Sequence, residues 1–243
     1  MRYIEKNEPP QALINWRAKR AEHDQDLDFR DLDNVRLDGV YVNVKEAIKK
    51  QRLEDQGYLC AYTQIRIELD TSHVEHLKPQ SLSRINDRKK HFIEETVDYE
   101  NMVLCYPKQE SKGGLGYGAP HRGDAELALT PRKKHCETLL RYKLNGEVYS
   151  EDSKVSEMIG KVLNLNHQSL VDRRKDCYCR KGLGRGAVKL LSENEALRLA
   201  KSILNMDAEK KLSPFCVGIS QAAVQHAALM QKRRKKKKMM IHH

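Results

Sequence analysis

Residues 73–81 read His73-Val74-Glu75-His76-Leu77-Lys78-Pro79-Gln80-Ser81. The start of this run fits a short strand, and successive side chains on a strand point to opposite faces. Glu75 and His76 then look to opposite sides, with His73 on the side of Glu75. Pro79 has no N–H to give to a ladder, so pairing ends by that point. An acid beside a histidine at a strand end has a chemical use, because one can face a cation while the other faces a substrate. Such a pair is also ordinary in a sheet, and its plain reading is structural. The neighbours add weight: Cys60 stands sixteen residues before His76, Asn101 twenty-five after it, and Cys105 four beyond Asn101.

Working outward, Pro9 and Pro10 precede Leu13 and Trp16 at helical spacing, with Arg17, Lys19 and Arg20 among and after them. Proline presets the first turn of such a helix. An acidic loop over 22–38 leads to Val44, Ala47 and Ile48, again helical in spacing, and Gly57 caps that helix. Tyr58, Leu59, Ala61, Tyr62, Ile65 and Ile67 suggest two short strands with a tight connection. Beyond Ser81 come a polar, basic insertion over 81–95, an apolar segment over 99–106, and a loop over 111–123 with Gly113, Gly114, Gly116 and Gly118.

The second half reads as helices. Val155, Met158, Ile159, Val162 and Leu163 form one apolar stripe. Leu170, Val171 and Arg174 suggest a second helix, ended near Gly182 and Gly184. Ser192 with Glu195 makes a capping box before Leu197, Ala200, Ile203 and Leu204. Pro214 follows, and 222–230 forms a last helix. The expected class is α+β, mostly helical, divided as 1–150, 151–231 and a basic tail over 232–243. The later helices are expected to pack on the front half rather than fold alone.

The chain has 243 residues, and its net charge of +11 favours a polyanionic partner. The run from Lys232 to Lys238 carries seven of those charges; taking 7 from +11 leaves +4 for the rest. A run of this kind is usually a solvated, disordered tail, and otherwise a sequence-independent grip on phosphates. Only 6% of residues are aromatic, which argues against a stacking platform for single-stranded nucleic acid. The charged start, with no apolar core, is not a signal peptide, and no apolar run approaches membrane-spanning length. The six cysteines are expected to be reduced, in a cytoplasmic setting.

With these residues in view, the sequence resembles the HNH endonucleases, and within them the prokaryotic defence family associated with retrons and the Septu system, the PtuB type. The matching stretches are Met1-Arg2-Tyr3-Ile4-Glu5-Lys6-Asn7, Gly57-Tyr58-Leu59-Cys60-Ala61-Tyr62, His73-Val74-Glu75-His76 with Lys78-Pro79-Gln80-Ser81, and Tyr99-Glu100-Asn101. Leu163-Asn164-Leu165-Asn166, with Leu170 and Arg173, looks like the family's C-terminal half. The resemblance implies a ββα core, here over about 57–130, around one divalent metal, Mg²⁺ or Mn²⁺. It makes His76 the general base that takes a proton from water, a task suited to a group titrating near neutral pH. Asn101 orients the His76 strand or ring. Glu75 and a downstream histidine hold the metal, an oxygen-plus-imidazole shell that such ions accept.

His121 is the first choice for that downstream ligand, since it follows the glycine loop, with Asp124 replacing or supplementing it. His135 comes late, and His91 stands before Asn101, in the wrong order. His73 is open between ligand, phosphate contact and packing. Lys78 and Arg122 are candidate contacts to nucleic acid. Many HNH proteins hold a structural zinc with two Cys-x-x-Cys pairs; here Thr63 and Lys108 stand where the second thiols belong. A structural zinc, which wants four ligands, is therefore not expected, and Cys60 and Cys105 are expected to pack near one another as small hydrophobes. Cys177-Tyr178-Cys179 lacks a zinc spacing. The resemblance further implies DNA as substrate and a PtuA-like ATPase of the ABC/SMC type as partner. The competing readings are a non-catalytic HNH scaffold that binds nucleic acid or serves assembly, and a nuclease that cuts RNA.

Overall fold

Helix α2 (Val44–Asp55) shows how local sequence sets up the site. Asn43 caps its start, accepting the Glu46 N–H through its side chain. At its end the Gly57 N–H bonds the Glu54 carbonyl and the Tyr58 N–H reaches back to Leu53, a Schellman closure that needs positive φ at Gly57. A Cβ at Gly57 would also run into Leu212, so glycine is required there twice over. The chain thus leaves α2 aimed into the core with Leu59, Cys60, Ala61 and Tyr62 buried.

The computed structural model describes residues 1–23, 27–81, 95–108 and 114–241. The protein is α+β and mostly helical. Before α2 lie α1 (Gln11–Glu22), which starts at Pro10, and a hairpin of β1 (Val35–Leu37) with β2 (Val40–Val42). After it, β3 (His73–His76) pairs antiparallel with β4 (Met102–Cys105), setting Glu75 opposite Val103 and His76 opposite Met102. Two short helices follow, α3 (Ala119–Arg122) and α4 (Cys136–Leu139), then the hairpin β5 (Arg141–Tyr142) and β6 (Val148–Tyr149). The rest is helical: α5 (Ser153–Glu157) running into a π turn (Met158–Val162), α6 (Gln168–Arg180), α7 (Glu193–Ser202) and α8 (Cys216–Ile241).

The structure differs from the sequence reading in several places: β1 lies inside the stretch 22–38 read as a loop, and α3 inside the stretch 111–123 read as a loop. Residues 58–67 form no pair of strands; Leu59 and Arg66 make a single bridge around a turn in which Gln64 has positive φ. The basic run is not a separate tail, because α8 carries straight through it to Ile241. Lysine and arginine are good helix formers, and this run simply continues a helix already nucleated by packing. Most of the 81–95 insertion, including His91, and part of the glycine loop, including Gly113, lie outside the described residues.

One apolar core joins both halves of the chain. Met1, Ile4, Leu59, Ile67, Leu104, Leu163, Tyr178, Ala196 and Ile219 all belong to it, so the late helices cover the front half as expected. The Ser192–Glu195 capping box forms at the start of α7. A second cluster, Leu13, Trp16, Leu32, Ile48, Tyr99 and Met102, packs α1 and α2 against β4. Val74 on β3 touches both clusters, so the Glu75–His76 strand lies at their seam. Among the described residues no helix is long and apolar enough to cross a membrane.

Candidate functional site

The β3–β4 hairpin puts Glu75 and His76 on different faces of one strand. His76 is buried and fixed on both ring nitrogens: Nε2–H donates to the Thr96 carbonyl at 2.8 Å, and Nδ1 accepts from the Gln80 amide at 3.1 Å. The Phe29 ring meets it edge-on, with centroids 4.8 Å apart. Burial outweighs the Thr96 bond and the Glu75 charge and lowers its pKa, so the ring is held neutral near pH 7. The Thr96 carbonyl selects the Nε2–H tautomer and leaves a lone pair on Nδ1, capped by a partly exposed glutamine.

Asn101 ties the end of this strand to the return path. Its Oδ1 accepts the Lys78 N–H at 2.8 Å, its Nδ2 donates to the Glu95 carbonyl at 3.0 Å, and its own carbonyl accepts the Leu77 N–H at 2.8 Å. One residue therefore ties the backbone just before Pro79 to the Glu95 carbonyl on the return path. Asp98 caps the turn (Tyr99–Asn101) that carries it.

On the other face, Glu75 is held between a guanidinium and an imidazole. Arg122 Nη1 donates to Glu75 Oε1 at 2.7 Å, and His73 Nε2 lies 3.5 Å from Oε2. His73 also donates through Nδ1 to the Pro107 carbonyl. Burial pulls the His73 pKa down, but the Glu75 carboxylate and the Pro107 carbonyl outweigh it and the net direction is up. Beneath lie Cys60 and Cys105, fully buried free thiols hydrogen-bonded to one another. Burial pushes the Cys105 thiol up; Cys60 is drawn down to about 6, its own burial outweighed by hydrogen bonds from Cys105, Thr63 and the Tyr106 N–H.

Arg122 corrects the sequence reading. It is not an exposed loop arginine awaiting a phosphate: it ends α3 and its side chain is 1% exposed. Besides Glu75 it donates to Tyr62 Oη at 3.0 Å and to the carbonyls of His76 at 2.8 Å, Leu77 at 2.6 Å and Ala125 at 2.8 Å. A planar guanidinium can serve so many acceptors at once, and the strand-end carbonyls have no other rung to join. Lys78, the other nucleic-acid candidate, is paired with Glu95 at 2.7 Å and remains partly exposed.

The remaining candidate ligands are less gathered. His121 is exposed and donates through Nδ1 to the Val162 carbonyl at 3.0 Å; Asp124 and His135 are exposed. Among the described residues no group of three or more His, Cys, Asp or Glu side chains is set to hold a metal ion. With a guanidinium on one Glu75 oxygen and an imidazole facing the other, the residues as arranged do not fit a divalent ion. Sequence reasoning missed Gln80, Tyr62 and Phe29 as neighbours of the pair, and nothing in their spacing signalled those roles. No protein-family model and no curated protein matches this chain.

Proposed function

We propose that this chain is an HNH-type endonuclease acting on phosphodiester bonds, with DNA as substrate, and the nuclease subunit of an anti-phage defence complex with a PtuA-like ATPase. The resemblance supplies the class, and the observation that supports it best is the state of His76. A general base must be neutral, oriented, and carry a lone pair that a substrate or water can reach. Burial favours the neutral form of His76, Thr96 fixes its tautomer, and among the described residues the hydrogen-bond partner of Nδ1 is the Gln80 side chain. When Gln80 swings away, Nδ1 takes the proton of an attacking water, and Asn101 holds the strand end in place. Mg²⁺ or Mn²⁺ remains the cofactor this reading calls for, supplying charge stabilisation at the phosphate when bound.

A second reading, the non-catalytic scaffold, is favoured by one specific observation. The Arg122 guanidinium already neutralises Glu75, in a buried position with five protein acceptors. A protein that only binds nucleic acid or an assembly partner needs no more.

Plasmid nicking by the full chain decides between them, run with Mg²⁺, with Mn²⁺ and with EDTA, alone and with the ATPase partner, beside His76→Ala. Metal-dependent cleavage that the variant loses while DNA binding stays near wild type supports the nuclease. Binding without cleavage in every condition, partner included, leaves the scaffold.

A further inference from the structure

Far along the chain from the hairpin, a cavity of about 860 Å³ opens between the β5–β6 turn, α6, the loop after α6 and the middle of α8. Its walls are aliphatic: Leu144, Leu183, Leu190, Leu229 and Met230. Leu190 and Leu229 are 39% and 44% exposed, and Val188, in the same loop, is fully exposed. Three cations, Lys175, Arg185 and Arg233, complete the lining, and no carboxylate does. None of the three makes an ion pair among the described residues, although ion pairs are common elsewhere on this surface. The site is built rather than loose. His226 is buried at its floor, accepting the Gly184 N–H at 3.2 Å and donating to the Leu191 carbonyl at 2.9 Å, which pins both ends of the 184–191 loop to α8.

We infer that this groove binds an acidic, amphipathic segment of a partner protein, with bulky aliphatic side chains in the cavity and flanking carboxylates on Lys175, Arg185 and Arg233. The charge of the rim selects an anionic partner. The walls choose between the two kinds of polyanion. A nucleic acid strand wants a cationic track with exposed aromatic rings for its bases; no Phe, Tyr or Trp lines this cavity, and the His226 ring is buried with both nitrogens bonded. A peptide laying apolar side chains into an aliphatic trough uses both features, and Met230 adapts to the shape of its guest.

The test is a selection from a random peptide display library on the immobilised full-length protein, followed by affinity measurement on synthetic copies of the enriched peptides. Two variants touch only exposed side chains: the triple charge reversal K175E/R185E/R233E, and Leu229→Asn. Melting curves confirm that both fold. Enriched peptides should combine Leu, Ile or Phe with Asp or Glu. Each variant should weaken them by about tenfold or more, as expected when a central anchor or the facing charge is removed. A 20-nucleotide strand should not displace them. The proposal fails if nothing enriches over a blank surface, or if the enriched peptides bind both variants as they bind the wild type. It fails equally if the oligonucleotide displaces them and depends on the three cations but not on Leu229, which would make the groove a phosphate track.

Discussion

The two cationic regions of this molecule treat their charge in opposite ways. Around the β3–β4 hairpin the strong polar groups among the described residues are turned onto the protein itself: Arg122 on Glu75 and three carbonyls, Asn101 on the Lys78 N–H and the Glu95 carbonyl, His76 on Thr96. From Lys232 to Lys236 on α8 and in the groove beside it, cations stand exposed with few partners among the described residues, Arg234 with Glu193 being one. The contrast separates charge that builds a site from charge that reaches outward. Residue type alone does not make that distinction, since arginine occurs in both places, as Arg122 in one and Arg185 and Arg233 in the other.

Removing Arg122 breaks the inward-facing region most severely. Arg122→Ala leaves several carbonyls without partners and a half-buried carboxylate with only His73 beside it, and removing one member of such a pair costs up to about 3–5 kcal/mol. Denaturant unfolding should show that loss, or the variant should fail to fold at all. A change below about 1 kcal/mol would mean that Glu75 is solvated and open, and would favour a metal-ready carboxylate over a resident guanidinium.

Asn101→Ala should have the next largest effect. It strands the Lys78 N–H and the Glu95 carbonyl, a cost of about 1–3 kcal/mol for each buried group left unpaired, less where water enters. Its informative readout is local: hydrogen exchange at Leu77 and Lys78 should accelerate more than exchange in α6 or α7. Uniform acceleration would show that Asn101 supports the whole core rather than the strand end.

Much of the fold was legible because it follows from local rules. The Pro10 start of α1, the Gly57 closure of α2 and the Ser192–Glu195 box of α7 each rest on a few adjacent residues whose chemistry has one favourable geometry. The placement of Glu75 and His76 on opposite faces followed from strand alternation alone. What stayed illegible depends on contacts made across the chain. Arg122 finds the carbonyls of His76 and Leu77 forty-six and forty-five residues away, and the His76 ring finds the Thr96 carbonyl twenty residues away. The basic run was misjudged for a related reason. Its composition is that of a solvated tail, but the buried face of α8, from Cys216 to Ala227, nucleates a helix that the lysines then extend.

The strand's two histidines sharpen the comparison at smaller scale, with metal removed by EDTA. His73 titrates above the ordinary 6.5 and His76 below it, as proton-detected NMR of the ring resonances should show. The signs oppose one another. The His73 contribution to stability is fully present below pH 6.5 and fades as pH rises through its higher folded pKa. The His76 contribution is present above pH 6.5 and fades as pH falls toward its lower folded pKa. His76→Gln should therefore remove part of the acid-side loss of stability, and His73→Gln the decline on the alkaline side. Identical pH profiles for the two variants would mean that the faces of β3 share one environment.

The smallest effect on stability belongs to the outward-facing cations. Lys235 and Lys236 are exposed on α8 and make no ion pair among the described residues. Replacing both by glutamine, a comparable helix former, should change unfolding free energy by no more than about 0.5 kcal/mol. Duplex DNA binding should respond differently if these residues grip phosphates. The slope of log affinity against log salt should then flatten by roughly 0.9 for each phosphate that is no longer neutralised, equally for any DNA sequence. An unchanged slope with unchanged stability would remove this end of α8 from nucleic-acid contact, leaving its charge to the groove beside Arg233. A stability loss above about 1 kcal/mol would instead show that these lysines, like Arg122, are turned to acceptors within the protein, and the contrast between the two regions would collapse.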